Sequence, residues 1–262
     1  MSVSAHALDL SQNRSVGIGL AYFEDRSNQG WVEGSVFPFL PGRIEMSQKN
    51  HWEQVYSTRP KEKLGWYVPH LKTPLNWIKG LGLAVEAPLI DVGGGASTLV
   101  DDLLDAGYRS ITVLDISERA LSSVKARLGK KADLVTWLAG DITSMELPER
   151  HYELWHDRAV FHFLTLLEQR KYRENLLQAL RPGGHLVIGT FALEAPPKCS
   201  GLPVQRYSPE DLQNALGGEF QLERHQKELH VTPGGVEQMY LYCHFRRALQ
   251  GVRAADPQGA RG

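Results

Sequence analysis

The chain has 262 residues, with 29 basic against 30 acidic side chains and 42% apolar residues. That is enough to bury one sizeable core, and too evenly charged to suggest a nucleic-acid partner. Its two cysteines, Cys199 and Cys243, are too few for a disulfide framework or a thiolate metal site, and no metal is expected.

No apolar run approaches the roughly 20 residues of a membrane span, and the N-terminus lacks the basic-then-apolar order of a signal peptide. The expectation is a cytoplasmic protein away from membranes, a monomer or weak homo-oligomer. Residues 1–48 mix Ser, Gly, Asn and Pro with scattered aromatics and hold neither helical nor strand periodicity, so they read as an N-terminal extension. Met46, just ahead of the first amphipathic segment, is a second candidate translation start; a native chain beginning at Met1 by mass spectrometry would exclude it. Residues 251–262, rich in Gly, Ala, Arg and Pro, read as a disordered tail. The domain proper is expected over 49–250.

Asn50–Ser57 reads as a short helix with Trp52 and Tyr56 on one face, and Leu71–Leu81 as a second. Strands are predicted at 87–91, 110–115, 134–139, 152–156 and 185–191. Helices are predicted at 97–106, 117–128 and 167–180, with Ser117 as an N-cap and Arg181-Pro182-Gly183-Gly184 as a stop before the fifth strand. Alternation at this spacing predicts a doubly wound, mostly parallel α/β sheet with helices on both faces. A further helix begins at Ser208-Pro209-Glu210, with Pro at its first position and acids in its first turn. Two long strands, Phe220–Thr232 and Glu237–Arg246, flank Pro233-Gly234-Gly235, so the sheet ends in an antiparallel hairpin.

The chemistry concentrates at Asp91-Val92-Gly93-Gly94-Gly95-Ala96-Ser97, between the first strand and its helix. Glycines there let a ligand touch bare backbone near a helix N-terminus. Asp115 closes the second strand about 20 residues on, where a carboxylate can accept from both hydroxyls of a ribose. The pair predicts a nucleoside-bearing cofactor. A dinucleotide fingerprint wants glycine at position 98, where Thr98 stands, and Asp91 would repel a pyrophosphate. S-adenosylmethionine carries an ammonium, a sulfonium and no phosphate, and so suits the loop better than NAD.

Asp91-x-Gly93-x-Gly95, Asp115, Gly140-Asp141-Ile142 after the third strand, and Leu180-Arg181-Pro182-Gly183-Gly184 before the fifth resemble the ordered motifs of class I, seven-stranded S-adenosylmethionine-dependent methyltransferases. The resemblance covers about 50–247. His51-Trp52-Glu53-Gln54-Val55-Tyr56 and Asp157-Arg158-Ala159-Val160-Phe161-His162-Phe163-Leu164 further resemble a bacterial branch related to seven-strand protein-lysine methyltransferases. The resemblance implies a seven-stranded sheet with an antiparallel seventh strand and S-adenosylmethionine as cofactor, leaving as S-adenosylhomocysteine.

Residue by residue, it implies Gly93, Gly94 and Gly95 beneath the methionine part and Asp91 serving the ammonium. Asp115, with Ile116 beside it, would meet the ribose; Asp141 and the Ile142 N–H would meet the adenine. Trp52, Tyr56 and Trp66 would close over the sulfonium, though Trp52 and Tyr56 can equally pin the first helix to the core. Asp157 and Arg158 would border the donor pocket. Ser97 departs from the glycine many relatives carry, and its hydroxyl can cap the next helix.

For the acceptor, Asp157 and His162 are the catalytic candidates, with His156, Arg206, Tyr207 and Cys199 as further pocket residues. A core role for His162 and a small buried role for Cys199 stand beside these readings. Methyl transfer needs a base only if the acceptor arrives protonated. The expected activity is transfer to a small-molecule thiol, amine or carboxylate. The alternatives are a protein lysine, whose ammonium Asp157, Phe161 and Phe163 would surround, and a module that binds the cofactor without catalysis.

Overall fold

The computed structural model describes residues 47–249. The expectations for residues 1–46 and for the tail fall outside them.

Helix α1 (Gln48–Thr58) starts where the Ser47 hydroxyl accepts from the Asn50 N–H, and helix α2 (Lys72–Gly80) follows. Then come β1 (Leu89–Val92), α3 (Leu99–Asp105), β2 (Ile111–Asp115), α4 (Glu118–Leu128), β3 (Val135–Ala139), β4 (Tyr152–Arg158), α5 (Leu166–Ala179) and β5 (Leu180–Ala192). Two-residue strands β6 (Lys198–Cys199) and β7 (Leu202–Pro203) pair with each other, and β8 (Arg206–Tyr207) adds to the end of β5. Helix α6 (Pro209–Leu216) precedes the hairpin β9 (Phe220–Val231) and β10 (Glu237–Arg247).

The main path of the sheet runs β3-β2-β1-β4-β5-β10-β9. Neighbours among the first five strands are parallel, whereas β10 runs antiparallel to both β5 and β9. This is the mostly parallel seven-stranded sheet with a reversed C-terminal strand that the motifs implied. The reversed strand lies inside the sheet, between β5 and β9.

Every residue of β1 and β2 is buried, as continuous apolar runs covered on both faces should be. One face packs on Trp77 and Ile78 of α2, Leu99 and Leu103 of α3 and Leu121 of α4. The other packs on Tyr172 and Leu176 of α5 and Leu212 and Leu216 of α6. Caps fix the helix starts: Ser117 accepts from Ala120, and Thr165 and Ser208 each close a reciprocal box with the acid three residues on.

One boundary differs. Arg181–Gly184 was expected to separate helix from strand, but β5 already begins at Leu180, opposite Tyr152. The register then jumps to Leu154 opposite His185, so the Pro-Gly-Gly segment is an outward bulge with Gly183 at φ 76°. Proline lacks the ladder N–H and glycine tolerates the positive φ, which lets the strand absorb the extra residues.

Candidate active site

The C-terminal ends of the parallel strands open into one cleft of about 1110 Å³, part of it open to solvent. Taken along the sheet, its lining runs from Asp141 after β3, through Asp115 of β2 and the β1 loop, to Arg158 of β4 and Cys199 beyond β5. Twelve of the fourteen residues expected to meet the cofactor line it: Trp52, Tyr56, Trp66, Asp91, Gly93, Gly94, Ser97, Asp115, Ile116, Asp141, Ile142 and Arg158.

The glycine loop leaves no room for a side chain. A Cβ on Gly93 (φ 69°) would overlap Val160 Cγ2, one on Gly94 would lie 2.9 Å from Asp91 Oδ2, and one on Gly95 would lie 2.5 Å from the Tyr56 hydroxyl. Gly95 therefore sits beneath Tyr56 and Asp115 and does not itself line the cleft. Ser97 behaves as expected, its hydroxyl accepting from the Leu99 N–H at the start of α3.

Asp91 is 3% exposed and faces His156 across the β1–β4 register. Asp91 Oδ1 and His156 Nδ1 are 2.6 Å apart, while Asp91 Oδ2 and His156 Nε2 are buried without a partner. A buried carboxylate oxygen left open beside a cleft suits a cationic donor such as an ammonium. Asp115 Oδ1 accepts from the Ser117 N–H at 2.8 Å. Burial pushes its carboxyl up to about 7, against the Ser117 and Gly95 N–H groups that pull it down, with Asp91 and Glu53 adding to the rise. Asp141 Oδ1 accepts from the Thr143 N–H and hydroxyl, each at 2.8 Å, which fixes the turn after β3.

Helix α1 brings the aromatic lid. Trp52 lies 5.6 Å from Trp66 and 5.2 Å from Phe163, and Tyr56 lies 5.9 Å from Trp66, centroid to centroid. Burial holds the Tyr56 phenol well above its ordinary range, and the Asp115 charge adds to this. The helix is tied to α4, where Glu53 accepts from the Glu118 N–H and pairs with Arg119. The same aromatics thus pin the helix and wall the cleft.

Both catalytic candidates lie elsewhere. Asp157 is fully buried on the α5 side of the sheet and does not line the cleft. It alternates with His156 and Arg158 along the strand, and successive side chains point to opposite faces. Its carboxylate accepts from the Val160 and Phe161 N–H groups and the Tyr172 hydroxyl, and so anchors the turn that carries Val160 to Gly93. Burial raises it to about 6 against those same donors. His162 is also fully buried, its Nδ1 accepting from the Phe191 N–H and its carbonyl from the Gln205 N–H. Burial, then the Arg158 charge, lowers it to about 3, so it is a neutral core histidine.

Arg206 is bonded to the Leu193 and Ala195 carbonyls, and the Tyr207 hydroxyl accepts from Gln169. Neither reaches the cleft. His156 and Cys199 do. Sequence reasoning had not paired His156 with Asp91; two polar residues at the ends of adjacent apolar strands were the available signal.

Residues 89–184 match the family described as a methyltransferase domain. Among curated proteins, the chain is 25% identical over 143 residues to the eEF1A lysine and N-terminal methyltransferase of Bos taurus, covering 55% of this chain and 20% of that protein. The chain thus spans about a fifth of the length of that relative. Among solved structures, it resembles an S-adenosylmethionine-dependent methyltransferase from Anabaena variabilis, with a TM-score of 0.59, 14% identity, and 76% and 93% of the two chains covered. It also resembles the 1,6-didemethyltoxoflavin-N1-methyltransferase of Burkholderia thailandensis, solved with its substrate and S-adenosylhomocysteine, with a TM-score of 0.54, 20% identity, and 67% and 77% covered.

With this strand order, glycine cradle and row of acids at successive strand ends, the chain has the fold of these solved methyltransferases, and its residues 89–184 match a methyltransferase domain. The residues present would fit S-adenosylmethionine: a bare-backbone loop, an open buried carboxylate oxygen beside it, and a second acid beyond.

Proposed function

We propose that this protein is an S-adenosylmethionine-dependent methyltransferase acting on a small-molecule acceptor. The observation that carries the small-molecule reading is the distribution of charge in the cleft. Its three carboxylates, Asp91, Asp115 and Asp141, all belong to the stretch from β3 to β1, while the β4–β5 end carries the Arg158 guanidinium. A lysine ammonium arriving there would meet a cation and no acid.

Asp91 Oδ2 holds the cofactor ammonium, with His156 fixing the carboxylate from the other side. Asp115 accepts from the ribose hydroxyls, Asp141 and the Ile142 N–H meet the adenine, and Ile116 packs beside it. When bound, the cofactor supplies a methyl group on a sulfonium, an already activated electrophile. The protein's part is to align the acceptor's lone pair with that carbon and to keep water out. The Trp52, Tyr56, Trp66 and Phe163 rings provide the exclusion, and their faces favour the sulfonium. No residue is assigned as a general base, since Asp157 and His162 are turned away from the cleft.

A second reading, methylation of a protein lysine or N-terminal amine, is favoured by the similarity to the eEF1A lysine and N-terminal methyltransferases. Incubating the full chain with methyl-labelled S-adenosylmethionine and a host lysate, then separating small molecules from protein, decides between them. The proposal expects label in the small-molecule fraction; label confined to protein bands would establish the second reading.

A further inference from the structure

Arg158 ends β4 as a guanidinium with no carboxylate in direct contact among the described residues. Its Nε donates to the Tyr242 hydroxyl at 2.9 Å and its Nη1 to the Trp66 carbonyl at 2.9 Å, while its plane lies over the Tyr240 ring, 4.3 Å from the centroid. Gly189 of β5 makes this possible. It stands in register between Arg158 and Tyr242, and a Cβ there would come within 2.7 Å of the tyrosine ring. The guanidinium is thus held rigidly against β5 and β10, on the side of the cleft away from the glycine loop.

Its remaining N–H groups have no partner, and no carboxylate lies within 4 Å of it, among the described residues. Glu228 of β9 acts on Arg158 only at longer range, without an ion-pair contact, and does not line the cleft. The neighbouring imidazoles add no negative charge: His162 is neutral, and the His230 Nε2 is held by the Gly65 carbonyl at 2.6 Å. Arg158 is only half-buried, and its charge is open to the cleft. Here the rigid fork lines the cleft, ready for a two-oxygen anion.

We infer that Arg158 is the anchor for an anionic group on the methyl acceptor, a carboxylate or phosphate attached to an apolar body. The body would lie against Phe163 and Cys199, which line the same cleft. This rests on the methyltransferase reading and adds the chemical class of the acceptor to it.

The test uses the full chain saturated with S-adenosylhomocysteine and titrated calorimetrically with benzoate, phenyl phosphate and the neutral isostere benzamide. Benzoate or phenyl phosphate is expected to bind and benzamide not to; the stronger of the two identifies the anion. In Arg158→Met that binding falls by about tenfold to a hundredfold, the size of the charge-assisted contact removed. Equal binding of benzamide and the anions would overturn the inference. So would weakened S-adenosylhomocysteine binding in Arg158→Met with 5′-methylthioadenosine binding intact, because the guanidinium would then serve the cofactor's own carboxylate.

A second measurement needs no variant. The small labelled product from lysate must be retained on a strong anion-exchange resin at about pH 12, where an amine carries no charge and a carboxylate or phosphate keeps its own, and its appearance in the flow-through would overturn the inference. Failure of wild-type protein to bind S-adenosylhomocysteine at all would instead overturn the methyltransferase reading beneath it.

Discussion

Asp91 and His156, brought level by the parallel β1–β4 register, share a 2.6 Å hydrogen bond in which one oxygen of the carboxylate is held and the other is left open. Both residues are almost fully buried, so the bond is shielded from water and the carboxylate cannot swing. In a double-mutant cycle with Asp91→Asn and His156→Phe, read as S-adenosylhomocysteine affinity, the two changes are expected to be non-additive by about 1–3 kcal/mol. Additive losses would mean that His156 does not orient Asp91.

Asp115 makes the protein without cofactor sensitive to pH in a defined direction. Its folded value, about 7, lies above the ordinary 3.8, so the folded state holds this proton more tightly. Below about pH 4 both states are protonated. As pH rises towards 7 the unfolded state ionises first and the protein loses stability, and above about 7 the loss is complete. Asp115→Asn lacks this loss, so its melting temperature relative to wild type, measured without cofactor, should climb between pH 4 and 7. A flat difference across that range would contradict the assignment. The comparison with wild type cancels Asp157, whose raised value acts in the same sense.

Gly93→Ala places a Cβ against Val160 in a left-handed backbone. The strain is expected to cost about 1–3 kcal/mol of stability, with cofactor binding lost because the loop must move. Thermal melts and calorimetry check both. Wild-type values in the variant would show that the loop tolerates a side chain.

Asp157 and His162 should behave as structural residues. Asp157→Asn removes a carboxylate that accepts from two backbone N–H groups and Tyr172, which should cost about 1–3 kcal/mol. His162→Gln keeps an acceptor for the Phe191 N–H, and the pH dependence of kcat/KM between pH 5 and 9 should not change, because the imidazole titrates near 3. Loss of a limb of that profile in His162→Gln would restore it as a base.

What was legible in the sequence follows from what is local. The strand-end acids Asp91, Asp115 and Asp141 and the glycines between them are fixed by short-range geometry, and they converge because parallel strands end on one side of a sheet. The hairpin was equally plain from its alternation and its Pro-Gly-Gly turn. Which face a side chain takes was not legible. In Trp155-His156-Asp157-Arg158 the alternation sends His156 and Arg158 one way and Trp155 and Asp157 the other. The sequence does not say which pair meets the cleft: His156 and Arg158 line it, and Asp157, expected at the donor pocket, is buried on the other face. The Arg158–Tyr242 bond across Gly189 joins residues 84 apart, and no local pattern announces it.

The most direct test of the account is calorimetric titration of S-adenosylhomocysteine into the full chain and into Asp115→Ala. Wild type should bind one equivalent. The variant should show no measurable binding, having lost two charge-assisted hydrogen bonds of about 1.5–3 kcal/mol each. Absence of binding to wild type, or wild-type affinity in Asp115→Ala, would contradict it.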